Sequence, residues 1–171
     1  MKRIIITGNI HSGKTTLAET LVTALTRSGI RAAGILARGL WKNNLREGFD
    51  LVNLTSGTVT PLARRSEGTE TGTPYLFFQA GIDEGFRALS MDLCRTAGII
   101  LIDEIGPLEL RGLGWAPCLT PLLTLKDTLH IWVVRDRLLD QVMKTWPVDI
   151  NHRVLAHEPN ALETLMTLCL E

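Results

Sequence analysis

Ile4-Ile5-Ile6-Thr7-Gly8-Asn9-Ile10-His11-Ser12-Gly13-Lys14-Thr15-Thr16 decides the fold. Its first part is a short β-branched run ending on a glycine, which predicts a buried strand. Its second part fits G-x-x-x-x-G-K-[ST] at every position from Gly8 to Thr15. Beyond it, Leu17, Ala18, Leu21, Val22 and Leu25 recur at helical spacing, predicting an amphipathic helix over about residues 14–28 closed by Gly29. A strand before the loop and a helix after it separate the motif from a glycine turn that merely carries a solvated lysine. Small residues let backbone N–H groups converge on phosphate oxygens, and the helix N-terminus adds the positive end of its dipole. Gly8, Asn9, Ile10, His11, Ser12, Gly13, Lys14, Thr15 and Thr16 are therefore the expected nucleotide-binding residues. Lys14 is expected to set its ammonium against the β- and γ-phosphates and to act in catalysis. The Thr15 hydroxyl would be offered to Mg²⁺, a cation that takes oxygen ligands.

A phosphate loop of this kind needs a second metal contact, and the next apolar run supplies one. Ile99-Ile100-Leu101-Ile102 reads as another buried strand and delivers Asp103 at its C-terminal end, where parallel α/β sheets place their ligands. Asp103 is the expected partner of Thr15 at Mg²⁺. Glu104 follows directly, and a carboxylate beside the metal-binding aspartate can take a proton from an attacking water. That chemistry is hydrolysis rather than transfer to an acceptor. Glu104 is the candidate base, against the alternative of an orienting or merely exposed acid. A third buried strand, His130 to Val134, leads to Arg135 and Arg137. Arg135 is a candidate internal arginine for the γ-phosphate, although a salt-bridged helix start is the favoured reading of this pair.

Between these strands the chain changes character. Arg31 to Ala37 and Gly48 to Leu54 read as two strands around the polar turn Lys42-Asn43-Asn44, with a third strand near Val59 to Ala63. This predicts an inserted antiparallel hairpin or meander over about residues 31–65. Ser66 to Pro74 is a turn-rich loop and the expected mobile segment. Helical spacing returns at Ile82, Phe86, Leu89 and Leu93. Pro107, Pro117 and Pro121 predict short helices, a further helix is expected over 135–144, and a last one over about 160–170. Strands alternating with helices predict an α/β fold: a three-layer, mainly parallel sheet with helices on both faces, forming one domain over residues 1–171.

Composition bounds the partners. The 171 residues carry 18 Lys+Arg and 18 Asp+Glu, so the net charge is zero and the strongly basic signature of a nucleic-acid-wrapping domain is missing. There is no long apolar run to span a membrane and no signal-like leader, so a cytoplasmic protein is expected. Cys94, Cys118 and Cys169 lack metal-ligand spacing and read as small buried hydrophobes in a reducing compartment. Arg38, Arg64 and Arg65 could reach phosphate or a partner from the hairpin region, with a solvated polar face the favoured reading. His11 reads as a pocket-edge contact. Trp41, near the hairpin turn, could stack on a nucleobase, whereas Trp115, Trp132 and Trp146 read as packing residues.

At this point the chain resembles a known family, the small thermophile-type or cancer-related nucleoside-triphosphatases. The resemblance rests on Ile6 to Thr16 and, more specifically, on Ile102-Asp103-Glu104-Ile105-Gly106-Pro107-Leu108-Glu109-Leu110. Arg46-Glu47-Gly48-Phe49 and Leu62-Ala63-Arg64 resemble elements of that family's inserted hairpin, and the similarity runs over roughly residues 3–145. It implies Mg²⁺-dependent hydrolysis of ATP, GTP and other nucleoside triphosphates to the diphosphate and phosphate. The family usually carries Thr-x-Glu at the end of its second strand; here the residues are Leu36-Ala37-Arg38-Gly39. The tail after Trp146 matches nothing in the family and is expected to cap the sheet or meet a partner. A P-loop kinase for a small metabolite or nucleoside, with Arg64-Arg65 in a lid, and a nucleotide-binding accessory protein for cofactor assembly are the alternatives. No guanine-reading N-K-x-D occurs, so no base preference is legible. No protein partner can be named.

Overall fold

The computed structural model describes residues 3–67, 74–147 and 150–171. Most of the polar loop expected to be mobile, residues 68–73, lies outside the described residues. The strands are β1 (Arg3–Gly8), β2 (Ala32–Lys42), β3 (Leu45–Asn53), β4 (Val59–Arg65), β5 (Tyr75–Phe77), β6 (Ile99–Ile105), β7 (Leu129–Arg135) and β8 (His152–Leu155). They form one eight-stranded sheet in the order β5-β4-β3-β2-β6-β7-β1-β8. The half from β2 through β6, β7 and β1 to β8 is parallel; β2 to β5 run antiparallel.

The parallel half is an α/β sheet covered on both faces, and the apolar runs show why. Ile4 and Ile6 of β1 face one core while Ile5 faces the other. Ile99 and Leu101 alternate with Ile100 and Ile102 on β6, and Ile131 and Val133 with Trp132 and Val134 on β7. A strand buried on both faces needs a continuous apolar run, not an alternating one. Each such isoleucine contributes about 1.5–3 kcal/mol through burial. α1 (Lys14–Arg27) and α7 (Ala161–Leu170) cover one face. α2 (Gln79–Ala88), α3 (Met91–Cys94), α4 (Pro107–Leu110), α5 (Ala116–Leu122) and α6 (Leu139–Thr145) follow in the chain, and α2, α3, α5 and α6 give the other face its buried side chains.

The structure adds detail to the expected elements and changes some of them. The antiparallel hairpin grows directly out of the parallel sheet. Ala32–Ile35 of β2 pair in parallel with β6, and the same strand continues into the antiparallel arm against β3. The helix expected through Leu93 breaks at Ser90, whose extended backbone (ψ 145°) separates α2 from α3. The expected helix over 135–144 begins as a 3₁₀ turn, Asp136–Leu138, before α6. Cys94 is buried, but Cys118 and Cys169 are only half-buried. The tail caps the sheet: β8 adds an edge strand to β1, and α7 packs on α1. Trp115, Trp132 and Trp146 are packing residues, at 6%, 2% and 6% exposure. No helix among the described residues is long and apolar enough to cross a membrane.

Candidate active site

The loop between β1 and α1 sits at the C-terminal end of the parallel strands, and its backbone could be adopted by few other sequences. Gly8 has φ 148°, and a Cβ there would lie 2.5 Å from Ser12 Oγ. His11 takes φ 63° and Gly13 φ 81°, so the loop turns twice through the left-handed region before the helix starts. Such conformations cost about 1–3 kcal/mol at a non-glycine residue and cluster at functional sites. No side chain caps the N-terminus of α1, and its first turn holds no acidic residue. Its leading N–H groups and positive dipole end are thus left for an anion.

Lys14, the first residue of α1, folds back over the loop. Its Nζ donates to the carbonyls of Asn9 (2.5 Å) and Gly8 (3.1 Å) and to Ser12 Oγ (3.4 Å). Burial holds its pKa below the ordinary lysine value, Arg135 works in the same direction, and Glu104, Asp103 and Asp136 oppose them.

Asp103 lies on β6 with no exposed surface. Its Oδ2 accepts the Ala37 N–H of β2 at 3.1 Å and its Oδ1 accepts the Glu104 N–H at 2.9 Å. Burial, and then the charge of Glu104, push its pKa up to about 7; the Ala37 N–H, the nearby Thr15 hydroxyl and the Glu104 N–H pull against them. The structure therefore brings together the two oxygen donors that the sequence singled out for a metal. A carboxylate and a hydroxyl are the donor chemistry of a hard cation. Among the described residues no group of three or more His, Cys, Asp or Glu could hold a metal. An ion bound at Thr15 and Asp103 would draw its other ligands from phosphate and water, the usual habit of Mg²⁺.

Glu104 is placed by a β-bulge. The β6–β7 ladder slips between Ile102 and Ile105, and Glu104 adopts φ 60° within the slip. Its carboxylate turns toward the end of β7, where Arg135 Nη2 lies 3.3 and 3.4 Å from its two oxygens. Arg135 is thus paired with Glu104 rather than with a helix start. Asp136, which sequence reasoning missed, ties three elements together. It accepts Thr7 Oγ1 from β1 and Arg153 from β8, both at 2.7 Å. The Thr7 hydroxyl, with Arg153, holds its carboxyl below the usual carboxylate value.

Lys14, Thr15, Glu104 and Arg135 line one cleft of about 230 Å³. Arg38, Trp41 and Arg46 of the hairpin line it as well; the sequence raised Trp41 and, as the less favoured reading, Arg38, but not Arg46. Arg38 forms an exposed ion pair with Glu19 of α1. Arg64 is held by Asp50 at 2.7 Å and by the Phe49 carbonyl at 2.8 Å. Arg65 and Arg137 do not line the cleft. The ring of Trp41 meets His11 of the glycine loop edge-on, with centroids 5.1 Å apart, so the hairpin tip rests against the loop.

An NTPase family model matches residues 3–157, most of the chain. The chain belongs to this NTPase family. It is accordingly an enzyme of the nucleoside-triphosphatase type with an α/β P-loop fold. Among its relatives, the nucleoside-triphosphatase THEP1 of Archaeoglobus fulgidus is 30% identical over 149 residues, covering 85% of this chain and 87% of the relative. The protein of the same name from Sulfolobus acidocaldarius is 34% identical over 124 residues, covering 71% and 70%. The solution structure of a human cancer-related nucleoside triphosphatase shares the fold, with a TM-score of 0.73 at 22% identity over 100% of this chain and 98% of that one. The family match reaches residue 157 and so takes in β8, beyond the stretch over which the sequence resemblance was drawn.

Proposed function

We propose that this NTPase hydrolyses ATP, GTP and other nucleoside triphosphates to the diphosphate and phosphate with Mg²⁺, and that Glu104 activates the water. The observation that carries this reading is the convergence of Lys14, Thr15 and Glu104 on one cleft, with the buried Asp103 carboxylate close to the Thr15 hydroxyl. The loop from Gly8 to Thr16 binds the phosphates through its N–H groups, and Lys14 exchanges its loop carbonyls for the β- and γ-phosphate oxygens. Thr15 and Asp103 would hold the cation, whose chemistry would be to neutralise charge on the phosphate oxygens. Glu104 orients a water against the γ-phosphorus and accepts its proton at Oε as the bond to the β–γ bridging oxygen breaks. The diphosphate leaves with the electron pair of that bond. Arg135 holds the Glu104 carboxylate toward the cleft. The Asp50 pairing of Arg64 occupies the cation that a kinase lid would use, which further favours water as acceptor.

The test is phosphate release from ATP, GTP, CTP and UTP, with and without Mg²⁺ and with no acceptor. The expected result is release from several nucleotides, dependent on Mg²⁺. It should fall by roughly 10²–10⁴-fold in Glu104→Gln and be lost in Lys14→Ala and Asp103→Asn. Full turnover in Glu104→Gln would remove Glu104 from the chemistry. Turnover only with an added acceptor would replace hydrolysis by transfer.

A further inference from the structure

The hairpin contributes one cation, Arg46, that forms no ion pair among the described residues. Arg46 lines the phosphate cleft from β3, directly across the strand pair from Trp41. Its guanidinium carbon lies 4.6 Å from the Trp41 ring centroid and 4.9 Å from that of Phe49. Contact with two aromatic rings fixes a guanidinium and leaves its in-plane N–H groups as the directions in which it can bind. Its Nε is buried and has no hydrogen-bond partner among the described residues. The nearby acids are engaged elsewhere: Glu47 with Lys42, Asp50 with Arg64, Glu19 with Arg38 and Glu104 with Arg135. Gly39 leaves room for this head group, since a Cβ there would come within 3.2 Å of Arg46 Nε and Nη2.

A partly desolvated guanidinium with an unmatched buried donor is costly unless something anionic completes it. Arg46 shares its cleft with the loop that binds phosphates, and its fork geometry suits two phosphate oxygens. We propose that Arg46 binds the γ-phosphoryl group of the bound triphosphate and stabilises its charge as it departs, an arginine supplied from within the chain. Arg135 is less suited to that task because Glu104 already neutralises it. The assignment rests on the hydrolytic reading above for its catalytic half; the contact itself does not need turnover.

Two readouts separate the halves. Arg46→Ala is expected to lower kcat by roughly 10³-fold or more with KM changed only a few-fold. Millimolar guanidinium chloride should restore part of the rate in this variant but none in Lys14→Ala. Arg46→Lys, which keeps the charge and loses the fork, should remain well below wild type. In binding titrations with Mg²⁺, wild type should prefer a non-hydrolysable β,γ-imido triphosphate over the diphosphate, and Arg46→Ala should lose that preference while binding the diphosphate normally. A kcat within about threefold of wild type in Arg46→Ala, or an unchanged preference for the triphosphate, overturns the proposal. So does a rate loss without guanidinium rescue that tracks a fall in thermal midpoint, since Arg46 would then only brace the hairpin. If no protein releases phosphate yet Arg46→Ala abolishes the triphosphate preference, the hydrolytic reading fails and the Arg46 contact stands.

Discussion

His130 should make folding stability fall as the solution is acidified, and substituting it should remove that loss. The residue lies on β7 with 1% exposure, and neither ring nitrogen has a hydrogen-bond partner among the described residues. Burial lowers its pKa from 6.5 to about 4; Arg3, its neighbour across the ladder to β1, adds to the effect, while the Leu125 backbone works against it from outside hydrogen-bond geometry. The sign follows from proton binding. Between about pH 6.5 and pH 4 the unfolded chain protonates this histidine and the native protein does not, so stability rises with pH across that window. A gap of this size corresponds to about 3 kcal/mol once the pH has dropped to the native value, and to about 2 kcal/mol between pH 7 and pH 5. Asp103 and Glu109, both pushed up to about 7 chiefly by burial, act in the opposite sense in the same range. For them the native protein holds the extra proton, so acidification stabilises it. The wild-type profile alone therefore mixes opposed contributions, and the quantity to measure is a difference. Urea unfolding of wild type and His130→Leu at pH 7, 6 and 5 should show the leucine variant gaining about 2 kcal/mol on wild type over that range. Two stability curves that stay parallel from pH 7 to pH 5 would refute a buried, neutral His130.

Trp41 is the exposed tryptophan, at 51%, while the other three are at 6% or below, so nucleotide binding should perturb its fluorescence selectively. A titration with Mg²⁺ and nucleotide should give a saturable change in wild type that disappears in Trp41→Phe; a change that survives the substitution would place Trp41 away from the ligand. Gly34, at φ 111° on β2, faces the Leu101 carbonyl so closely that a Cβ would overlap it. Gly34→Ala should therefore destabilise the β2–β6 pairing by at least about 2–3 kcal/mol, read as a drop in thermal midpoint, and an unchanged midpoint would contradict the close approach. Glu104→Gly should relieve left-handed strain of about 1 kcal/mol while losing a partly exposed ion pair worth about 0–1 kcal/mol. It should thus keep or raise the thermal midpoint and yet release phosphate at least about 10²-fold more slowly; a variant that unfolds instead would make Glu104 structural.

The parallel half of the fold is legible in the sequence because burial on both faces demands unbroken apolar runs, and Ile4–Ile6, Ile99–Ile102 and Ile131–Val134 are such runs. The edge strands are not. β5 has three residues, and β8 reads His-Arg-Val-Leu, too short or too polar to show a period; pairing with β4 and β1 creates them. Within the site, the glycine loop, Asp103 and Glu104 are legible because each belongs to a local pattern. Arg46 is not, because its place depends on register. β2 runs for 11 residues and β3 for 9, and a bulge between Leu40 and Trp41 brings Trp41 opposite Arg46. The local hint is the stretch Arg46-Glu47-Gly48-Phe49, whose resemblance to the family's hairpin carries no role for the arginine by itself. Asp136 escaped notice for the same reason, since Thr7 and Arg153 reach it from distant parts of the chain.

The two neighbouring carboxylates at the end of β6 illustrate how one strand end can serve two roles. Adjacent acids of like charge raise each other's pKa, and left side by side in a buried pocket they would compete for one proton. The bulge separates them. Asp103 stays inside the ladder, sunk against the Ala37 N–H and the Thr15 hydroxyl, where it is dry and directed toward the glycine loop. Glu104, turned out by its left-handed backbone, reaches Arg135 with its side chain 27% exposed. A buried oxygen donor suits a cation, and a partly solvated carboxylate beside an arginine suits a water. Glu109 then fixes the backbone that follows by accepting the Gly106 N–H at 2.9 Å and the Trp115 N–H at 3.1 Å. That anchor limits how far the bulge can relax toward regular strand geometry, in which alternate side chains point to opposite faces of the sheet. The backbone strain at Glu104 and the buried carboxyl of Glu109 thus belong to the same device, which holds two acids of one strand end at different depths.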